Sequence, residues 1–341
     1  MTNAANFPVP AQGYRAVCFD LDGTLLPMDL DAFLGAYFEK LARFMVARGV
    51  NGEVFKKALN DGVKAMIKNK GPHTNAEVFW ELFFRELAEL MEGVGEVNLD
   101  NDEWLALFNE FYEGPFATIG EGVEKDEHMV HAVHALQEKG YPILLTTMPL
   151  FPIQALAHRC DWSGLNVDDF CRLTTFENST AAKPSLHYYA ENLAAMGVSG
   201  KDVLMVGNNT VEDYAFTQLG ADIYLVTDHL LDPVDFDMST VRNGTTAEFA
   251  AWVDALPSCE NPIVGVNTGC VDAAATDDAY RANLVATPEE LAAAKEAAVR
   301  ARSAADDIGD AIAEGRGKDE DTYVPHGMEH ALNADFSAKE E

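Results

Sequence analysis

The chain has 341 residues, 48% of them hydrophobic, so it can bury a large core and has room for two domains. Its formal charge of -32 argues against DNA, RNA or anionic lipid as partners, since each would repel a polyanion. Five cysteines, Cys18, Cys160, Cys171, Cys259 and Cys270, are odd in number and never at C-x-x-C spacing. They read as reduced thiols of a cytoplasmic protein, not as a disulfide frame or a zinc site. The N-terminus lacks the basic start and apolar stretch of a signal peptide, and no apolar run is long enough to cross a bilayer.

The first element, Ala16 to Phe19, is a short apolar run that stops at Asp20-Leu21-Asp22-Gly23-Thr24. Such a run closed by a glycine turn predicts a buried strand of a parallel sheet. Alternation along the strand sends Asp20 and Asp22 to the same side at its carboxyl end, where open α/β sheets take ligands. Two carboxylates held that close need a cation, a shared proton or both.

Four amphipathic helices follow with no strand between them: Leu30 to Gly49, Asn51 to Lys68, Thr74 to Met91 and Asp102 to Tyr112. Thr74 and Glu77 form a capping-box pattern at the start of the third. They predict an all-α unit, residues 30–118, inserted into an α/β chain made of 14–29 and 119–257.

Strand and helix then alternate. Helices are expected over Glu124 to Lys139, Pro152 to Cys160, Ser185 to Met196, after Gly207-Asn208-Asn209 to Leu219, and Ala247 to Leu256. Strands are expected over Pro142 to Thr147, Cys171 to Phe176, Asp202 to Val206 and Asp222 to Val226. Residues 258–341, rich in Ala, Asp and Glu, read as an acidic appendage, partly disordered or helical.

The strand ends carry chemistry: Asp20 and Asp22 on the first, Thr146 and Thr147 on the next, Lys183 in AAKPS before a helix, and Asn208, Asn209, Glu212 and Asp213 in GNNTVED. In that order these segments resemble the haloacid-dehalogenase-like (HAD) phosphohydrolase superfamily over roughly residues 14–257, with the helical insert placed like the cap that follows the first motif in that superfamily. The resemblance implies a Rossmann-like core with helices on both faces of a parallel sheet. It implies a Mg²⁺-dependent hydrolase of a small phosphorylated metabolite, working through an aspartyl phosphate.

On that resemblance Asp20 is the nucleophile and Asp22 the acid that protonates the leaving oxygen and later draws a proton from water. Mg²⁺ would bridge Asp20, the Asp22 backbone carbonyl and a transferring oxygen. Thr146 would hydrogen-bond a phosphoryl oxygen, and Lys183 would balance charge.

The last motif departs from the pattern. It usually supplies an Asp to the metal, but Asn208 and Asn209 follow Gly207. One register pairs Asn208 with Glu212, another Asn209 with Asp213. Either gives an uncharged oxygen and weaker metal affinity, with Glu212 or Asp213 available to compensate.

A sugar-phosphate mutase, or a non-catalytic scaffold with a weakened metal site, are the alternatives. A dehalogenase would have no need of Asp22. His128, His131 and His134 on one helix read as a solvated face, and His326 with His330 lacks the glutamate of a HExxH site.

Overall fold

The computed structural model describes residues 7–91 and 99–285. Its centre is a six-stranded sheet built from β1 (Ala16–Phe19), β2 (Ile143–Leu145), β3 (Arg172–Leu173), β4 (Val203–Gly207), β5 (Asp222–Val226) and β6 (Arg242–Gly244). The order is β3-β2-β1-β4-β5-β6 and every pairing is parallel. The chain winds outward from β1 in one direction and from β4 in the other. The crevice between those two strands is therefore the topological switch point of a doubly wound sheet.

β1 is apolar throughout because both its faces are covered. Val17 and Phe19 pack with α5 (Glu127–Glu138), α6 (Ile153–Ser163) and α8 (Thr246–Ala255). Ala16 and Cys18 pack on the other face with Tyr188, Tyr189 and Leu193 of α7 (Leu186–Met196).

Between β1 and β2 stands the helical insert: α1 (Leu30–Val46), α2 (Gly52–Lys68), α3 (Asn75–Met91) and α4 (Asn101–Glu113). Its apolar interior is crowded with rings, among them Phe33, Tyr37, Phe55, Phe83, Phe108 and Phe111. The Thr74–Glu77 pair closes reciprocally at the start of α3, with Glu77 N at 3.1 Å from Thr74 Oγ1 and Thr74 N at 2.8 Å from Glu77 Oε2. The insert's core continues into Leu150, Ala155, Phe176 and Ala182 of the α/β unit. Backbone bonds fasten the two together: Gly71 N donates to Thr180 O at 2.8 Å and Asn75 N to Ser179 O at 2.8 Å. The fully buried Asn75 side chain donates to both Pro149 O (3.0 Å) and Ala181 O (3.1 Å).

Three features differ from the sequence expectations. The helix foreseen after Asn209 is only a 3-10 segment, Tyr214–Leu219, because Asn209 Oδ1 folds back onto Val211 N and Glu212 N, both at 2.9 Å. β6 has no apolar run to announce it. Residues 258–285, foreseen as part of an appendage, lie along the core. Ile263 N reaches Arg15 O at 3.3 Å, Asn267 N reaches Ala195 O at 3.0 Å, and α9 (Ala273–Asn283) packs beside α7. The remainder, 286–341, with the Ala-rich stretch and the His326 and His330 pair, falls outside the described residues. His128, His131 and His134 are exposed on α5, where His131 Nε2 pairs with Asp254 Oδ1 at 2.9 Å. Among the described residues no helix is long and apolar enough to cross a membrane.

Candidate active site

β1 delivers Asp20 directly to the switch point: its N–H still bonds Val206 O of β4 at 2.9 Å. The chain then doubles back in a tight loop, with Gly23 N on Leu26 O and Leu26 N on Leu21 O, both at 2.8 Å. Leu21, Leu25 and Leu26 are fully buried and anchor that loop. Gly23 sits at φ +76°, and a Cβ there would stand 2.2 Å from Asn208 Nδ2, so the loop admits no side chain at this position.

Lys183 is the hinge of the constellation. Its Nζ donates to Asp20 Oδ1 at 2.7 Å and to Asp213 Oδ1 at 2.6 Å, with all three residues buried. Burial alone would push the Lys183 ammonium down, but Asp20 and Asp213 together carry it well above the ordinary lysine range. Asp213 turns its other oxygen to Asn208 N and Asn209 N, each at 3.0 Å. Burial outweighs Lys183 there and raises the Asp213 carboxyl to about 6.

Asp22 looks elsewhere. Its two oxygens meet the guanidinium of Arg159 on α6, Nε to Oδ1 at 3.1 Å and Nη2 to Oδ2 in close contact. Burial raises the Asp22 carboxyl, with Arg159 opposing. Arg159 is itself only 1% exposed. Its guanidinium lies 5.1 Å from the Phe151 ring centre and 5.7 Å from that of Phe33. Two acids two residues apart are thus held in different environments by different cations, the arrangement that lets one attack while the other moves a proton.

Arg159 escaped the sequence reading. The available signal was its place on the buried stripe Ala155, Leu156, Arg159, Cys160 of α6, a charge where a hydrophobe belongs.

The other expected residues converge on the same crevice with altered roles. Thr146 is fully buried, and its hydroxyl donates to Phe19 O at 3.2 Å, beside Met205 Sδ, where a phosphoryl contact had been expected. Thr147 is fixed through its carbonyl, which accepts from Tyr188 OH at 2.8 Å and Thr174 Oγ1 at 2.9 Å. Asn208 donates through Nδ2 to His229 O at 2.6 Å and accepts from Thr24 Oγ1 at 3.3 Å. The Asn209 amide oxygen and the Asp213 carboxylate, both expected to serve a metal, are occupied by backbone N–H groups and Lys183.

Among the described residues no cluster of three or more His, Cys, Asp or Glu side chains is arranged to hold a metal. A hard cation held by few protein ligands would draw on the Asp20 oxygen that Lys183 leaves free, the Asp22 carbonyl and the Asn208 amide oxygen, which also accepts one hydrogen bond from Thr24 Oγ1. Mg²⁺ accepts such a set when phosphate and water complete it. Three carboxyl groups, Asp20, Asp22 and Asp213, face two cations, Lys183 and Arg159, so with all three ionised the crevice carries one surplus negative charge that a divalent ion would offset.

Beside Phe151 the helical insert and the α/β unit together line a partly open cavity of ≈ 40 Å³. Tyr37, Leu59, Phe79, Tyr112 and Phe176 are among its walls. The Tyr37 and Tyr112 hydroxyls meet there at 3.0 Å.

Comparison with known proteins gives the fold a family. Among solved structures, an L-2-haloacid dehalogenase is 18% identical with a TM-score of 0.41, over 71% of this chain and 99% of its own. A predicted phosphoglycolate phosphatase from Haemophilus somnus is 15% identical with a TM-score of 0.43, over 71% and 99%. A HAD phosphatase from Thermococcus onnurineus is 15% identical with a TM-score of 0.42, over 73% and 100%. No curated protein matches by sequence. The family model for haloacid dehalogenase-like hydrolases matches residues 14–218, a span that runs from the strand before Asp20 past Lys183 to Asp213, and the chain belongs to that family.

Proposed function

We propose that the protein is a phosphohydrolase that cleaves a small phosphate monoester through a phosphorylated Asp20. The observation that carries the reading is the division of labour between two acids: Asp20 held by Lys183, Asp22 held apart by Arg159.

An oxygen of Asp20 attacks phosphorus, the bond from phosphorus to the ester oxygen breaks, and Asp22 as carboxylic acid gives that oxygen its proton. Asp22, now a carboxylate, takes a proton from water. The hydroxide so formed attacks the acyl phosphate, and the bond from phosphorus to Asp20 breaks. Inorganic phosphate leaves, with Asp20 restored as carboxylate and Asp22 as acid.

Lys183 holds Asp20 aligned between steps. Asp20, the Asp22 carbonyl and Asn208 would hold Mg²⁺, whose charge would stabilise the phosphoryl oxygens. The helical insert acts as a cap that walls the leaving-group side and limits water.

A mutase would move the phosphoryl group back to substrate and would need a bisphosphate activator. The amide at position 208 is the one feature that favours a binding protein over an enzyme. The deciding experiment is phosphate release from p-nitrophenyl phosphate with and without Mg²⁺. Turnover is expected to require the metal and to fall at least about a thousandfold in Asp20→Asn. Undiminished turnover in that variant would remove Asp20 from the chemistry.

A further inference from the structure

We propose that Tyr188 and Thr174 are a pair of positioning residues for the reaction: between them they hold the peptide joining Thr147 to Met148 with its carbonyl turned into the interior and away from the crevice. The inference rests on the phosphohydrolase reading above.

That peptide lies just past the carboxyl end of β2. The Thr146 hydroxyl before it is committed to Phe19 O, so the backbone that follows decides what this loop presents to an anion. Two hydroxyls from different elements reach its carbonyl. Tyr188 OH, on α7, donates to Thr147 O at 2.8 Å, and Thr174 Oγ1, next after β3, donates to it at 2.9 Å. The hydroxyls lie 3.0 Å from each other, so the three oxygens close a triangle. Tyr188, Thr174 and Thr147 are each at most 1% exposed, which keeps water from competing for the carbonyl.

Counting protons shows why there are two donors. Each hydroxyl carries one proton. That of Tyr188 has Thr147 O and Thr174 Oγ1 within reach, and that of Thr174 has Thr147 O, Tyr188 OH or, at 3.3 Å, Leu145 O. Loss of either hydroxyl leaves a proton for Thr147 O. Loss of both leaves the buried carbonyl with neither donor, the costly case for an acceptor out of water. Burial pushes the Tyr188 hydroxyl up, against the pull of nearby Lys183, so it stays protonated and remains a donor.

The Thr147–Met148 peptide is trans, so its C=O and N–H point to opposite sides. With the carbonyl drawn to Tyr188, the Met148 N–H points away from α7. Released, the peptide is free to turn its oxygen toward Asp20, Asp22 and the phosphate, where carboxyl groups already outnumber the cations. Fixed dipoles matter most where charge gathers in the transition state, so the loss falls on kcat.

The test is a double-mutant cycle of near-isosteric changes, Tyr188→Phe, Thr174→Val and the two combined, each variant shown to be folded by circular dichroism. Turnover of p-nitrophenyl phosphate is measured with Mg²⁺, and deuterium uptake is followed across residues 145–151. Each single variant is expected to keep kcat within about threefold of wild type, since one donor remains. The double variant is expected to lose about 30- to 100-fold in kcat, the scale of a group misplaced near the chemistry, with KM within about threefold. Its uptake across 145–151 is expected to rise. A double loss no greater than the product of the single losses, a change confined to KM, or unchanged uptake overturns the inference. If the double variant does not fold, Tyr188→Phe with Thr174→Cys, whose thiol is a weak donor, takes its place under the same criterion. No turnover by the wild type removes the phosphohydrolase reading and this inference with it, whereas turnover with independent losses removes the inference alone.

Discussion

Glu191 on α7 is a carboxyl group 1% exposed to solvent, far from any role in the chemistry above. Its Oε2 accepts from Thr180 N at 3.1 Å and from Thr180 Oγ1 at 3.3 Å, whereas Oε1 is buried with no hydrogen-bond partner. Burial is the largest influence and raises the group from 4.5 to about 7, against the opposing pull of Thr180 and Arg172. In the unfolded chain the proton leaves near 4.5, and in the folded protein near 7. The favourable contribution of the protonated group is therefore complete below pH 4.5 and is lost as pH rises through 7, beyond which it stays lost. The separation is worth about 3 kcal/mol at ~1.4 kcal/mol per pH unit. Glu191→Gln keeps an acceptor for Thr180 and abolishes the ionisation. Urea denaturation of both proteins, followed by circular dichroism at pH 4, 5, 6, 7 and 8, is expected to show near-equal stability at pH 4. The Gln variant is expected to gain steadily to about 3 kcal/mol at the alkaline end. A difference that does not change with pH, or one that favours Glu at pH 8, would refute the assignment of a buried, reluctantly ionised carboxyl at this position.

Lys183→Met strands Asp20 and Asp213 in the interior with no cation between them. It is expected to destabilise the protein by about 3–5 kcal/mol in the same urea assay, and a loss under about 1 kcal/mol would contradict the buried triad. Asn208→Asp adds a carboxylate to the donors proposed for Mg²⁺ but exchanges the amide that donates to His229 O for an oxygen. The Mg²⁺ concentration for half-maximal turnover is expected to fall about tenfold while stability drops by about 1–2 kcal/mol. An unchanged Mg²⁺ requirement would exclude Asn208 from the donor set.

The parallel sheet was legible through β1, β2 and β4, each a buried apolar run that gives way at its carboxyl end to polar or charged residues. β6 was not, since Arg242–Gly244 earns its place by pairing with β5 and not by any hydrophobic pattern. The segment after Gly207 shows a subtler limit. Its acids and amides were visible, but which of them faces a ligand depends on a turn in which Asn209 caps its own successors and Asp213 reaches back to the N–H groups of 208 and 209. Spacing alone could not rank those alternatives. Arg159 was passed over for a related reason: its place on the apolar stripe of α6 was a faint signal, and a lone arginine on a helix reads as solvated until the tertiary fold shows Asp22 opposite it. Residues 258–285 misled through composition, because they hold to the core by backbone bonds and Arg172, whose Nη1 donates to Asn267 O at 2.5 Å and Gly269 O at 2.9 Å, more than by large apolar side chains.

The Asn75 side chain has a mechanical meaning. Its amide clasps Pro149 O, in the loop that leaves Thr146, and Ala181 O, two positions ahead of Lys183. One residue of the insert therefore rivets together the two loops on which the crevice depends. Replacement of that side chain would therefore slacken both loops at once, and a change in the insert would be felt at the lysine without any direct contact.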